Sequence, residues 1–370
     1  MNIKKKCIIV AEFPAPYRVK VFEELQKEYD LTVFFNCLNE KTRSKTYSLK
    51  KYNFNSFFLD TKIGKRTFNK ALLHIKNYDF ALAYNFVIVP GIRLCFRAYK
   101  KNIPLFYNAD GGFIKHNFFK DIIKRKLIKI CDLYFSSGLS ADKYFLEFGG
   151  DKTKIRHHRF TSLNECDHIN LSDVNKKTYK KELNLDPNKK YVISVGQFIP
   201  RKGFDLLLKN WRNIKDLNKE LLIIGGGVNK NEYVEYIKEN SMKNVTILDY
   251  MDKNILYKYY LASSLFILLT REDIWGLVIN EAMNFGLPII TTTQCVAGNE
   301  LIVNNENGYL INLVETTECY QLINKILDND DLQKMMGINN NLKVKNESLE
   351  RIAQEHIKNI TLYFNEKRRK

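Results

Sequence analysis

No run of apolar residues in this 370-residue chain approaches the eighteen or so that a membrane-spanning helix needs. There is no C-x-x-C pair either. The seven cysteines, Cys7, Cys37, Cys95, Cys131, Cys166, Cys295 and Cys319, are odd in number and widely scattered. That pattern argues against a zinc site or a disulfide framework and for a reduced, cytosolic compartment. Nothing in the chain is repetitive or low in complexity. The stretch from Met1 to Ala11 is basic and then apolar, like a short signal peptide, but Glu12 interrupts it and Pro14 and Pro16 follow. It reads as a first buried strand. Acids are in deficit: 59 Lys and Arg against 41 Asp and Glu leave a formal charge of +18. Such a field favours nucleic acid, anionic lipid headgroups or phosphorylated substrates, without choosing among them. The abundance of Lys, Asn and Ile also fits an AT-rich genome.

The length suggests two domains, each with enough apolar residues for a core. Short strand-like runs alternate with helical patterns: Cys7–Ala11, Leu31–Asn36, Ala81–Tyr84, Leu105–Tyr107 and Leu133–Ser136, with helices such as Val19–Tyr29 and Phe68–Asn77 between them. A second set follows at Tyr191–Val195, Leu221–Ile224, Val245–Leu248, Leu265–Leu269, Pro288–Thr291 and Gly308–Ile311. Strands alternating with helices mean βαβ units and parallel sheets, hence an α/β fold of two Rossmann-like domains facing across a cleft. Sheet signals vanish over Asn164–Lys190, where a helix over Thr178–Leu183 opens the second domain. The expected domains are 1–165, 172–350 and a final helix, 351–370, packing back on the first domain. The apolar spacing Ile352, Ile357, Ile360 and Leu362 supports that helix.

Three segments carry the chemistry. Arg271 to Met283 follows a buried strand and becomes a helix, placing Asp273 and Glu281 at the sheet edge where α/β folds bind ligands. Acids there accept hydrogen bonds from sugar or ribose hydroxyls. Val192 to Asp205 is a strand, a loop and a helix start; Gly196 permits close backbone approach, and Arg201 and Lys202 sit at a helix N-terminus that attracts a diphosphate. Leu221 to Gly227 runs into a loop containing Gly225 and Gly226. In the first half, Asp110 precedes Gly111 and Gly112, where it either serves a tight turn or acts as a positioned carboxylate. Lys115–Ile130 is a basic amphipathic helix, with Phe118, Phe119, Ile122, Ile123, Leu127 and Ile130 near one stripe and Lys115, Lys120, Lys124, Arg125, Lys126 and Lys129 mostly elsewhere. It suits either an anionic membrane surface or packing on its own sheet with a solvated basic face. Asp328-Asn329-Asp330 reads as a helix cap, and the adjacent His157 and His158 face opposite ways and poorly share a metal.

The order of these segments resembles the retaining, nucleotide-sugar-dependent glycosyltransferases of family 4, the group 1 glycosyl transferases of GT-B architecture. Asp273 and Glu281 fall on their E-x7-E signature, and Lys202 on the lysine of their G-R-x-x-x-x-K-G segment. Gln197 replaces that segment's arginine, with Arg201 close by to supply the charge. Asp249 stands where these enzymes usually carry Gly, and Asp110 stands near their histidine, with His116 six residues on. The resemblance covers roughly residues 190–311 in order, through the closing motif Gly298–Ile302, and thins in the first half, where Phe13–Arg18 resembles the first loop. It implies Asp110, Arg201, Lys202 and Asp273 as catalytic residues. Donor contacts would come from Gly196, Lys202, Gly225, Gly226, Tyr250, Trp275, Gly276, Leu277 and Glu281. It further implies a UDP-linked donor, a saccharide or polyprenyl-linked saccharide acceptor, bacterial surface polysaccharide synthesis, no metal or other cofactor, and a cytoplasmic enzyme at the inner membrane face. A nucleotide-sugar epimerase on the same fold would need acids and histidines that the first half does not display. A nucleic-acid-binding protein would gather its basic residues with aromatics; here they are spread over many helices, so no nucleic-acid partner is expected.

Overall fold

Short β-branched and aromatic runs, apolar on both faces, are what a parallel sheet covered by helices requires. The computed structural model describes residues 3–38, 52–84, 87–314 and 319–369. In the first half, β1 (Lys6–Ala11), β2 (Asp30–Phe35), β3 (Asn55–Phe58), β4 (Phe80–Ala83), β5 (Leu105–Ala109), β6 (Leu133–Ser136) and β7 (Ile155–His157) form a parallel sheet ordered β3-β2-β1-β4-β5-β6-β7. In the second half, β8 (Lys190–Gln197), β9 (Lys219–Gly226), β10 (Val245–Leu248), β11 (Leu265–Leu268), β12 (Ile289–Thr292) and β13 (Gly308–Ile311) form another, ordered β10-β9-β8-β11-β12-β13. Each order reverses once, between β1 and β4 and between β8 and β11. Both sheets are therefore doubly wound. β3 and β7, absent from the expected strands, are half-exposed edge strands of four and three residues with no more than two consecutive apolar residues.

Two compact units result: Met1–Glu165 with Glu347–Lys370, and Cys166–Asn346. The returning segment starts a few residues before 351 because Leu349 N–H donates to the Leu163 carbonyl at 2.8 Å and Glu347 meets Arg159 at 3.1 Å. The second unit starts before 172 because Asp167 pairs with Lys253 at 2.5 Å and its carbonyl accepts from Asn284 at 2.8 Å. The last helix, Leu349–Arg369, buries Leu349, Ile352, Ala353, His356 and Ile360 on the first sheet. Its Tyr363 hydroxyl reaches Asp132 at 2.9 Å. Leu362, expected on that stripe, is exposed, because Tyr363 and Phe364 take the helical positions that meet Phe106 and Phe80.

The basic helix spans Phe118–Lys129, with the Asn117 side chain capping it through Lys120 N–H at 3.2 Å. Its faces differ from the expected division. Lys124, placed on the solvated basic face, is buried: its ammonium donates to Asp121 at 3.1 Å and the Lys115 carbonyl at 3.2 Å, over the Phe148 ring. Leu127 and Ile128 pack on the core, whereas Phe118, Phe119, Ile122 and Ile123 are exposed.

Candidate active site

Doubly wound sheets bind ligands beyond the carboxyl ends of the strands flanking the reversal. In the second unit those strands are β8 and β11, paired through Val192 and Leu265. After β8 comes the turn Pro200–Lys202, closed by Gly203 at φ 70°. A Cβ there would lie 1.9 Å from the Leu269 carbonyl, so only glycine lets the two loops meet. Arg271 N–H and the Thr270 hydroxyl both donate to the Arg201 carbonyl, at 2.8 and 2.9 Å. Arg271 also grips Asp205 through two bonds of 2.7 Å. Burial works to raise the Asp205 carboxyl, but the bonds and charge of Arg271 hold it below its usual range. Nothing in the sequence marked this clamp, because its residues lie 66 apart.

The clamped loops bring together three of the four expected catalytic residues. The Lys202 ammonium is ion-paired with Asp273, and Arg201 Nη1 lies 3.8 Å from the other carboxylate oxygen while donating to the Glu272 carbonyl at 2.5 Å. The Lys202 and Asp273 side chains are only 13% and 11% exposed, so their attraction is weakly screened.

Beside this pair, β8 and β9 end in backbone stripped of side chains. A Cβ on Gly225 would lie 1.9 Å from the Gly196 carbonyl, and one on Gly196 would sit 3.8 Å from Lys202 Cδ. Gly226 rests against Tyr250, whose hydroxyl donates to its carbonyl at 3.1 Å and whose ring is half-exposed. Gly276, at φ 97°, caps the helix Leu277–Asn284 next to Asp273. Trp275 turns into the core and donates to Asn280 Oδ1 at 2.8 Å, so its ring is not a stacking surface. Leu277 opens the helix half-buried. Glu281, one turn on, accepts from the Tyr260 hydroxyl at 3.2 Å; burial and then the Glu281 charge push that phenol well up.

The fourth residue, Asp110, lies in the first unit past β5, near the β1–β4 reversal. It is ion-paired with Arg18, whose guanidinium stacks 4.7 Å over Tyr84, and it accepts from Asn108 Nδ2 at 2.6 Å. A pocket here is lined by Tyr17, Arg18, Tyr84, Asn108, Asp110 and His158. Among the described residues, Tyr84 Oη and His158 Nδ1 are buried without a partner. His116 instead sits on the surface, 3.0 Å from Asp121. His157 is exposed against Asp142 at 2.8 Å while its neighbour His158 is buried. Asn329 caps the helix Asp330–Val344, accepting from Leu332 N–H at 2.9 Å. No group of three or more His, Cys, Asp or Glu is placed to hold a metal among the described residues.

Two doubly wound parallel sheets in two units, with a cationic, glycine-floored loop pair at the reversal of the second, define a fold of GT-B type. The solved structure of HepE from Anabaena in complex with UDP superposes with a TM-score of 0.79 at 15% identity, over 97% of this chain and 100% of that one. The family model described as glycosyl transferases group 1 matches residues 175–343, inside the second unit. That segment, a little under half of the chain, is similar to the group 1 glycosyl transferases. Among curated relatives, an uncharacterized glycosyltransferase of Haemophilus influenzae is 26% identical over 58% of this chain and 67% of its own length. The capsular polysaccharide biosynthesis glycosyltransferase CapM of Staphylococcus aureus is 25% identical over 47% and 46%.

Proposed function

We propose that the chain transfers a sugar, with retained anomeric configuration, from a UDP-linked donor to a hydroxyl of a saccharide or polyprenyl-linked saccharide in bacterial surface polysaccharide synthesis. The observation that carries this reading is the Lys202–Asp273 pair, with Arg201 beside it, at the strand reversal over bare glycine backbone. As the glycosidic bond breaks, negative charge grows on the departing diphosphate. Lys202 and Arg201 stabilise it, aided by the N-terminus of the helix Phe204–Trp211. Asp273 holds Lys202 in place and faces the sugar. Glu281 takes ribose hydroxyls, and Tyr250 flanks the base. The cations occupy the role that a divalent metal takes elsewhere, so chelators are expected to leave turnover unchanged. In the first unit, Asp110 lies past β5 beside a small, largely apolar cleft and takes the side of the acceptor. The capsular relative and the UDP-bound HepE structure support the pathway and the base.

Thermal unfolding against a panel of nucleoside diphosphate sugars tests the reading. A true donor at about 100 times its Kd should stabilise the protein by about 2.7 kcal/mol. No shift with any of them, and no release of nucleoside diphosphate, would end it.

A lipid-linked acceptor requires approach to a membrane, and the helix Phe118–Lys129 suits it. Four exposed apolar side chains, Phe118, Phe119, Ile122 and Ile123, are flanked by exposed Lys115, Lys120, Lys126 and Lys129. Apolar groups that enter the headgroup region beside cations that meet anionic lipid describe peripheral association. Lys120→Gln with Lys126→Gln should weaken sedimentation with anionic vesicles about thirtyfold, at about 1 kcal/mol per basic residue. Unchanged sedimentation would leave the helix a purely structural element.

A further inference from the structure

The Asp110 pocket is backed by a chain of buried polar groups drawn from three distant parts of the sequence. Asn108 Oδ1 lies 3.0 Å from His158 Nε2 and 3.0 Å from His356 Nε2, while its Nδ2 lies 2.6 Å from Asp110 Oδ1. His356 comes from the last helix and stacks on Phe135 at 3.9 Å. Asp110 is paired with Arg18, so the amide must turn its NH2 toward the carboxylate and its oxygen toward the imidazoles. His158 then donates from Nε2, while His356 meets an acceptor oxygen at each of its two nitrogens.

Burial, with a smaller contribution from the neighbouring histidine in each case, pushes both imidazoles down to about 3. Each therefore carries one N–H at neutral pH. For His158 this is harmless: its Nδ1 is left as a bare lone pair, which agrees with the absence of a partner there among the described residues. For His356 it is not. Its Nδ1 lies 2.8 Å from the Ile352 carbonyl, so the Nε2–H form sets a lone pair against an oxygen. Left alone, the ring would carry its proton on Nδ1 and donate to Ile352. The demand of Asp110 for the amide NH2 turns the second acceptor, Asn108 Oδ1, toward Nε2 and draws the proton there.

We propose that His356 is a positioning residue for Asp110, acting through Asn108, and that its tautomer is coupled to the charge on Asp110. The Asn108 amide fixes the carboxylate from behind while Arg18 fixes it from the side, leaving one carboxylate geometry toward the pocket. The catalytic part of this inference rests on the acceptor role assigned to Asp110 above; the tautomer coupling does not.

Two measurements on the full chain separate these. With selectively labelled histidine, nitrogen shifts should show His356 as the Nε2–H form in the unaltered protein and the Nδ1–H form in Asp110→Asn. There the side chain at 110 carries no charge and the Asn108 amide is free to turn. The same tautomer in both would overturn the coupling, whether or not any donor is ever found. In transfer assays, His356→Phe, which keeps the ring stack, should lower kcat at least tenfold with the donor KM unchanged. His356→Gln, whose amide can still donate to Asn108, should recover part of that loss. Full kcat in His356→Phe, or a matching rise in donor KM, would overturn the positioning role. Failure of all transfer with every donor, tautomers as expected, would instead strike the functional reading.

Discussion

Lys202→Ala is expected to lower turnover at least a hundredfold, on the order of 3 kcal/mol, with the fold intact. Two effects act in the same direction. The first is loss of a cation from the place where negative charge grows as the diphosphate leaves. The second is local: Asp273, only 11% exposed at its side chain, loses its close partner and keeps only Arg201 at 3.8 Å, so its charge is less balanced where the proposed donor brings its phosphates. Asp273→Asn should therefore be milder than Lys202→Ala, because it leaves the cation and removes the anion. The double variant should recover part of the single loss, since the two residues act as a unit. Glu281→Ala should raise the donor KM and largely spare kcat, because ribose hydroxyls do not change as the bond breaks. Tyr260→Phe removes the hydroxyl now bonded to Glu281 and should change donor affinity far less, which separates a donor contact from a packing role. Steady-state kinetics with the donor identified by thermal shift decides the matter. Full activity in both Lys202→Ala and Glu281→Ala would rule out this donor site.

What the sequence revealed follows the range of its physical signals. Buried parallel strands must be apolar on both faces, so the central strands stand out as runs, while the edge strands Asn55–Phe58 and Ile155–His157 need no such run and left none. Glycine was legible at Gly196 as a place of close backbone approach, and there the Gly196 carbonyl lies where a Cβ on Gly225 would meet it at 1.9 Å. The Lys202–Asp273 neighbourhood was legible through two local strand-loop-helix patterns that the sheet reversal brings together. The helix Phe118–Lys129 was legible as amphipathic, but periodicity cannot say which stripe the core takes. Lys124 went in because Asp121, the Lys115 carbonyl and the Phe148 ring receive its charge and stem. The Asn108–His158–His356 chain had no signal at all. Its members lie 50 and 248 residues apart, and a lone histidine on an amphipathic helix reads as a polar interruption.

Those two histidines also make the first unit sensitive to acid. In the unfolded chain an imidazole takes up a proton near pH 6.5; in the folded one, burial defers this to about 3. Between those values the unfolded state binds more protons, so stability is complete above about pH 6.5 and is lost as pH falls toward 3. Each histidine contributes a slope of about 1.4 kcal/mol per pH unit, and from pH 7 to pH 5 the pair together should cost on the order of 4 kcal/mol. That is a large fraction of the stability of an ordinary domain. Carboxylates also respond to acid, so the informative quantity is the difference between proteins. His356→Phe should be less stable than the parent at pH 8, where the bond to Asn108 is lost. Its stability should nonetheless fall about half as steeply between pH 6.5 and 5 as this pair predicts for the parent. Thermal unfolding across that range gives the slopes, and nitrogen shifts of labelled histidine in the folded parent give an independent check. His158 and His356 should still be neutral at pH 5. Parallel acid slopes in parent and variant, or imidazolium signals from these two rings at pH 5, would show that the chain of buried polar groups does not exclude protons as its geometry requires.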